Sequence, residues 1–251
     1  MGRRRLAALG LLVAIGAGAV GAVAATSSHR SLPHPTGVLI DRPVPEQPLL
    51  DERGRTTSLV AFRGRVVVLA PFLTLCHEVC PLTTGAFLEM SRAVAAAGLR
   101  DRVSFAEVSV DPWRDTPGRL RAFRRLTGIP FSLLTGTRSE LSRFWRFFGV
   151  RFSRSPEGAP PDRDWLTGKT LTFDVSHVDG LFLLDAHGRW RIVDLGMPSV
   201  GGRLSSTLAR LLNDEGKRNL ETPQAPWTVR QGLDDIGHLV GKRISGPSET
   251  R

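Results

Sequence analysis

The sequence predicts an α/β sandwich: one domain with an extension at each end. Two observations carry this expectation. Short apolar, β-branched runs alternate with stretches of helical periodicity, and the series closes with a hairpin and a last helix. The 251 residues are 41% hydrophobic and 23% charged, as in a globular chain with a real core. No internal repeat is visible.

In order, residues 49–55 read as a hairpin turning at Gly54. Residues 66–70, Val-Val-Val-Leu-Ala, read as a buried central strand. A loop over 71–80 leads into a helix over 81–97, with Pro81 suited to its first turn and Gly98 ending it. Residues 103–110 form a second strand, broken by Asp111-Pro112. Thr116 caps and Pro117 opens a second helix, which ends near Gly128. A strand over 131–134 precedes a helix over 139–148, where Leu141, Phe144, Trp145 and Phe148 share a core-facing stripe. Residues 153–169, with Pro156, Gly158, Pro160 and Pro161, read as an exposed insertion. Strands over 181–184 and 190–195 flank the turn Asp185-Ala186-His187-Gly188, and a last helix is expected over 202–212. Residues 213–251 lose the pattern and are expected to form a weakly structured tail, with Trp227 and residues 237–240 as docking candidates.

The N-terminus reads as an address. Three arginines precede an uncharged run over 6–25 that is long enough to cross a bilayer, and Ala22-Val23-Ala24 also fits a cleavage site. Residues 1–25 are therefore a signal anchor or a signal peptide. Either form puts the rest outside the cytoplasm, anchored at the extracytoplasmic face of the cell membrane or secreted. No cysteine follows the run, which argues against a lipoprotein. Residues 26–48, with five prolines, read as an extended linker before a domain over 49–212. Residues 1–25 hold three arginines and no acid, so the remainder keeps about +7 of the formal +10. The arginines are scattered and no nucleic-acid motif accompanies them, so they read as a solvated surface without a nucleic-acid partner.

The two cysteines are four residues apart. A domain of this size folds without a disulfide framework, so the pair points to metal or redox chemistry. Cys76-His77-Glu78-Val79-Cys80-Pro81 joins a strand to a helix, where the helix dipole favours thiolate. The gap is one residue longer than the thioredoxin C-x-x-C, and the wider bite favours chelation over pure exchange. A reversible disulfide and a pair of buried thiols stay open. Soft sulfur suits Cu(I), and an imidazole would complete a three-coordinate site. His29 and His34 lie in the linker, His187 in a turn, His238 in the tail and His77 between the cysteines. His177 precedes the strand over 181–184, whose entering loop passes beside the cysteine loop in a thioredoxin-like sheet. On spacing alone it reads more readily as a surface or capping residue. Zinc would need a fourth ligand from Glu78 or His77.

The cysteine motif, Val108-Ser109-Val110-Asp111-Pro112-Trp113-Arg114-Asp115-Thr116-Pro117, Leu133-Leu134-Thr135-Gly136, and Ser176-His177 before Leu181-Phe182-Leu183-Leu184-Asp185 together resemble the Sco/SenC family. The resemblance runs over residues 49–212. It implies a thioredoxin-like sandwich behind one N-terminal membrane segment. It also implies copper, as Cu(I) and further as Cu(II), held by Cys76, Cys80 and His177. The role it implies is assembly of the copper centre of cytochrome c oxidase, with an oxidase subunit or another copper chaperone as partner. His77 and Glu78 replace the family's usual Pro-Asp, and Ser176 replaces its usual aspartate. The alternative is a thiol-disulfide oxidoreductase or peroxidase in which Cys76 attacks and Cys80 resolves. Asp111, Arg114 and Asp115 read as a strand end, an ion pair and a helix opening.

Overall fold

The computed structural model describes residues 32–201, 203–221 and 226–246. The strands are β1 (Val38–Pro43), β2 (Leu49–Asp51), β3 (Thr56–Thr57), β4 (Val66–Phe72), β5 (Val103–Ser109), β6 (Ser132–Thr135), β7 (Phe152–Ser155), β8 (Asp174–His177), β9 (Gly180–Leu184), β10 (Arg189–Leu195), β11 (Pro198–Ser199) and β12 (Trp227–Thr228). The helices are α1 (Cys80–Ala96), α2 (Pro117–Thr127), α3 (Arg138–Phe147), α4 (Ser206–Ala209), α5 (Asp214–Glu221) and α6 (Val229–Val240).

Eight strands form one sheet in the order β1-β10-β9-β4-β5-β6-β2-β3. The centre, β4-β5-β6, is parallel, while β9 runs antiparallel to β4. Every residue of β4 and β5 is buried, as a strand covered on both faces requires. Successive residues of β9 show the two faces. Leu181 lies against α6, where Gly232 lets that helix approach; a Cβ there would sit 3.2 Å from Leu181 and 2.6 Å from the Met90 sulfur of α1. Phe182 faces the other way and stacks on Trp145 and Phe148 at the end of α3. Local signals set the helix ends. Thr116 and Thr137 accept hydrogen bonds at the starts of α2 and α3, and Gly128 closes α2 in the left-handed region at φ +67°.

The α/β expectation holds, and several boundaries are corrected. The described part of the expected linker is built into the domain. It forms β1, paired with β10 at the sheet edge, and the Thr36 amide donates 2.6 Å to buried Asp235 of α6. Prolines fall before Val38 and at Pro43, so the strand between keeps its donors. The expected insertion over 153–169 is partly strand: β7 pairs with β8, and Asp164 and Trp165 dock on the domain. The helix expected over 202–212 shrinks to α4, capped by Ser205. The described part of the expected tail is built into the domain: α5 packs on the cysteine loop, and α6 buries Val229, Leu233, Ile236 and Val240. The segment over 1–25 lies outside the described residues. Among those described, no helix is long and apolar enough to cross a membrane.

Candidate metal centre

β4 delivers the chain to the loop at its carboxyl end, and α1 begins on the second cysteine. No side chain caps α1, so its first amides are free to face sulfur. The Cys80 amide donates 3.2 Å to Cys76 Sγ. Both thiols are free; Cys76 is half-buried and Cys80 buried. A hydrogen bond from the Cys80 thiol lowers the Cys76 pKa, helped by the amides of Cys80, Glu78 and Val79 against the cost of burial. Burial, and then the same hydrogen bond, drives Cys80 well above its usual range. The two thiols are thus shifted in opposite directions, Cys76 toward easier and Cys80 toward harder loss of its proton.

His177 ends β8, where it pairs with Phe152 of β7. Its Nδ1 lies 3.1 Å from the Val178 carbonyl, which can only accept, so Nδ1 carries the proton and the Nε2 lone pair is free. Burial lowers its pKa and favours the neutral ring that a metal needs. Cys76 and His177 line one cavity of about 920 Å³. Cys80 lies behind Cys76, outside that lining. Among the described residues no three His, Cys, Asp or Glu side chains are gathered closely enough to hold a metal ion. The thiols are together, and His177 faces their cavity without closing on them. His77 turns elsewhere: its Nδ1 donates 2.6 Å to the Leu211 carbonyl, and its buried Nε2 meets no protein partner.

The Asp111-to-Asp115 motif ties the two halves together. Asp115, fully inside, accepts the Thr74 hydroxyl at 2.5 Å and the Ser109 hydroxyl at 2.7 Å, and so holds the cysteine loop. Arg114 pairs with buried Asp111 and donates 2.7 Å to the Phe173 carbonyl just before β8. Trp165, from the segment expected to be exposed, donates 2.6 Å to the Thr74 carbonyl. Sequence reasoning saw the ion pair but not its reach.

Two acids, buried Glu107 and half-buried Asp179 on the cavity lining, lie beside the first turns of α1, and sequence reasoning missed both. Thr83 donates 2.9 Å to Asp179, and Thr84 donates 2.7 Å to Glu107. Burial raises Asp179 to about 7 and Glu107 to about 8. The signal for Glu107 is a single acid inside an otherwise apolar and small strand. The cavity wall is acidic as well. Burial raises the pKa of Glu78, and Asp174, Glu215 and Asp162 add to the rise; Arg218 is the cation on the lining.

The SCO1/SenC family model matches residues 44–195. The chain belongs to the SCO1/SenC family. It is 29% identical over 139 residues to the mitochondrial protein SCO2 homolog of Bos taurus, covering 53% of this chain and 50% of that one. The chain spans about half the length of the curated relatives it matches. Two solved structures, both described as copper-bound, share its architecture. Bradyrhizobium japonicum ScoI has TM-score 0.50 at 21% identity, covering 69% of this chain and 97% of that one. Arabidopsis thaliana ScoI has TM-score 0.51 at 17% identity, covering 66% and 92%. At these identities the likeness establishes the fold, which is thioredoxin-like, as the motifs predict.

Proposed function

We propose that this SCO1/SenC chain carries copper on the extracytoplasmic side of the membrane and passes it toward the copper centre of cytochrome c oxidase. The ligands are Cys76, Cys80 and His177. One observation carries the reading: a thiol of lowered pKa at a helix N-terminus, hydrogen-bonded to a second thiol, shares a cavity with an imidazole whose Nε2 is free. Two sulfurs and one nitrogen suit Cu(I). The copper-bound relatives and the family match support the cargo. Oxidase delivery and the extracytoplasmic location come from the family resemblance and the N-terminal segment.

The chemistry falls to the chain's own groups. Cys76 offers the sulfur that gives up its proton more readily, because the Cys80 thiol and the amides of Cys80, Glu78 and Val79 lower its pKa. Cys80 must release its proton, so copper uptake frees a proton and weakens in acid. His177 donates through Nε2 while Val178 keeps Nδ1 protonated. The acidic wall draws a cation toward the thiols. Anaerobic Cu(I) titration tests the set. One copper per chain is expected, with tight binding lost in Cys76→Ala and Cys80→Ala and weakened about 100-fold in His177→Ala. X-ray absorption showing sulfur alone around copper would remove His177.

The opposed thiol shifts favour a second reading, a thiol-disulfide oxidoreductase with Cys76 as nucleophile and Cys80 as resolving thiol. His177→Ala separates the two: a reductase keeps its rate, while a three-ligand copper carrier loses affinity.

A further inference from the structure

The far end of the sheet carries a second cavity. β4, β5 and β6 are parallel, so their first residues lie together, opposite the cysteine loop. Seven strand residues at about 3.3 Å each put the two ends roughly 20 Å apart. At this far end α1 and the sheet enclose a groove of about 400 Å³. Phe62, Phe105 and Phe131 line it, all more than nine-tenths buried. Arg65, Arg92 and Arg100 line it too, and no acid does. Among the described residues none of these arginines has a carboxylate partner. Arg65 reaches only the Ala61 carbonyl, at 3.5 Å, and the Phe62 ring.

The groove lies near the point where the described chain begins. Pro33 packs beside Gly237, and a Cβ on that glycine would sit 3.1 Å from the proline ring and 2.8 Å from the Lys242 carbonyl. Lys242 donates 2.7 Å to the Ala97 carbonyl, in the turn that ends α1 and leads to Arg100. Arg102 donates 2.8 Å to Val240. The first described residues, around Pro33, therefore lie at the basic end, while the acidic cavity lies at the other.

We infer that this groove seats the phosphate headgroup of an anionic phospholipid. Three arginines supply charge and hydrogen bonds for the phosphate, and the aromatic floor covers the apolar root of the lipid. Seated this way, the domain holds its dithiol cavity away from the bilayer, and the acidic wall avoids the anionic surface. The inference rests on the membrane-side placement proposed above.

The test is hydrogen exchange on the full chain in two nanodiscs, one of phosphatidylcholine and one of equal parts phosphatidylcholine and phosphatidylglycerol. Exchange over 91–105 and 130–132 should slow about tenfold in the anionic disc. The triple variant Arg65→Gln, Arg92→Gln, Arg100→Gln should lose that protection at an unchanged melting temperature. Equal exchange in both discs, or protection that survives in the variant, overturns the lipid seat alone. Inorganic phosphate giving the same protection in the neutral disc makes the groove a small-anion site and also overturns it. A chain that enters neither disc overturns the membrane placement, and the groove with it.

Discussion

The cysteine loop and the His177 strand face one cavity but are held by different means. The loop leaves the central strand of the main sheet. Asp115 grips it from below, Trp165 from the side, and the Asn213 amide donates 2.9 Å to the His77 carbonyl above. Among the described residues β8 pairs only with β7, in a two-stranded ribbon apart from the eight-stranded sheet. That ribbon hangs on Arg114 and on an aromatic stack in which Arg154 lies 4.2 Å over Phe173 and 4.7 Å over Trp113. The thiols are thus fixed by the core and the imidazole by a surface ribbon.

Arg114→Ala should break this contrast most strongly. It leaves Asp111 as a buried, unpaired acid and cuts the tether to Phe173, so stability should fall by about 3–5 kcal/mol in denaturant melts. A loss under about 1 kcal/mol would show that the ribbon is held by something else. Next comes pH. Glu107 is raised from 4.5 to about 8 by burial, so the folded state binds its proton more tightly than the unfolded one. Stability should then fall as pH rises from about 4.5 to about 8, and Glu107→Gln should flatten that slope. An unchanged slope in the variant would clear Glu107 of the effect. Thr74→Val removes the hydroxyl bond to Asp115 and should cost about 1–3 kcal/mol while changing the alkylation rate of Cys76. An unaltered rate would mean the loop does not depend on that bond. Arg154→Ala is the mildest. It should cost about 0.5–1 kcal/mol and speed hydrogen exchange over 152–155 and 174–177, with the cysteine loop untouched. Faster exchange in both places would erase the distinction between loop and ribbon.

The sequence reveals what is local. Cys76 and Cys80 are readable because strand, loop and helix start are contiguous, and β4 and β5 because a doubly covered strand is an apolar run. His177 is readable only through the family motifs, since its cavity is assembled from distant segments. The grip of Asp115 on Thr74 spans 41 residues and leaves no periodic trace. The C-terminal helix does leave one: Val229, Leu233, Ile236 and Val240 keep helical spacing behind the capping pair Thr228 and Gln231. Gly232 and Gly237 hide it, because glycine lowers helix propensity at the points where tertiary contact demands a missing side chain. β1 is hidden in the same way by the prolines around it.

The bond from Thr36 to Asp235 joins residues 199 apart, the first described strand region to the last helix. The edge strand cannot gain this anchor until α6 has been synthesised, so this part of the fold closes only after the sheet and the cysteine loop have been made. An expression boundary drawn at Leu212 would strip α6 from Leu181 and Met90 and leave Thr36 without its acceptor.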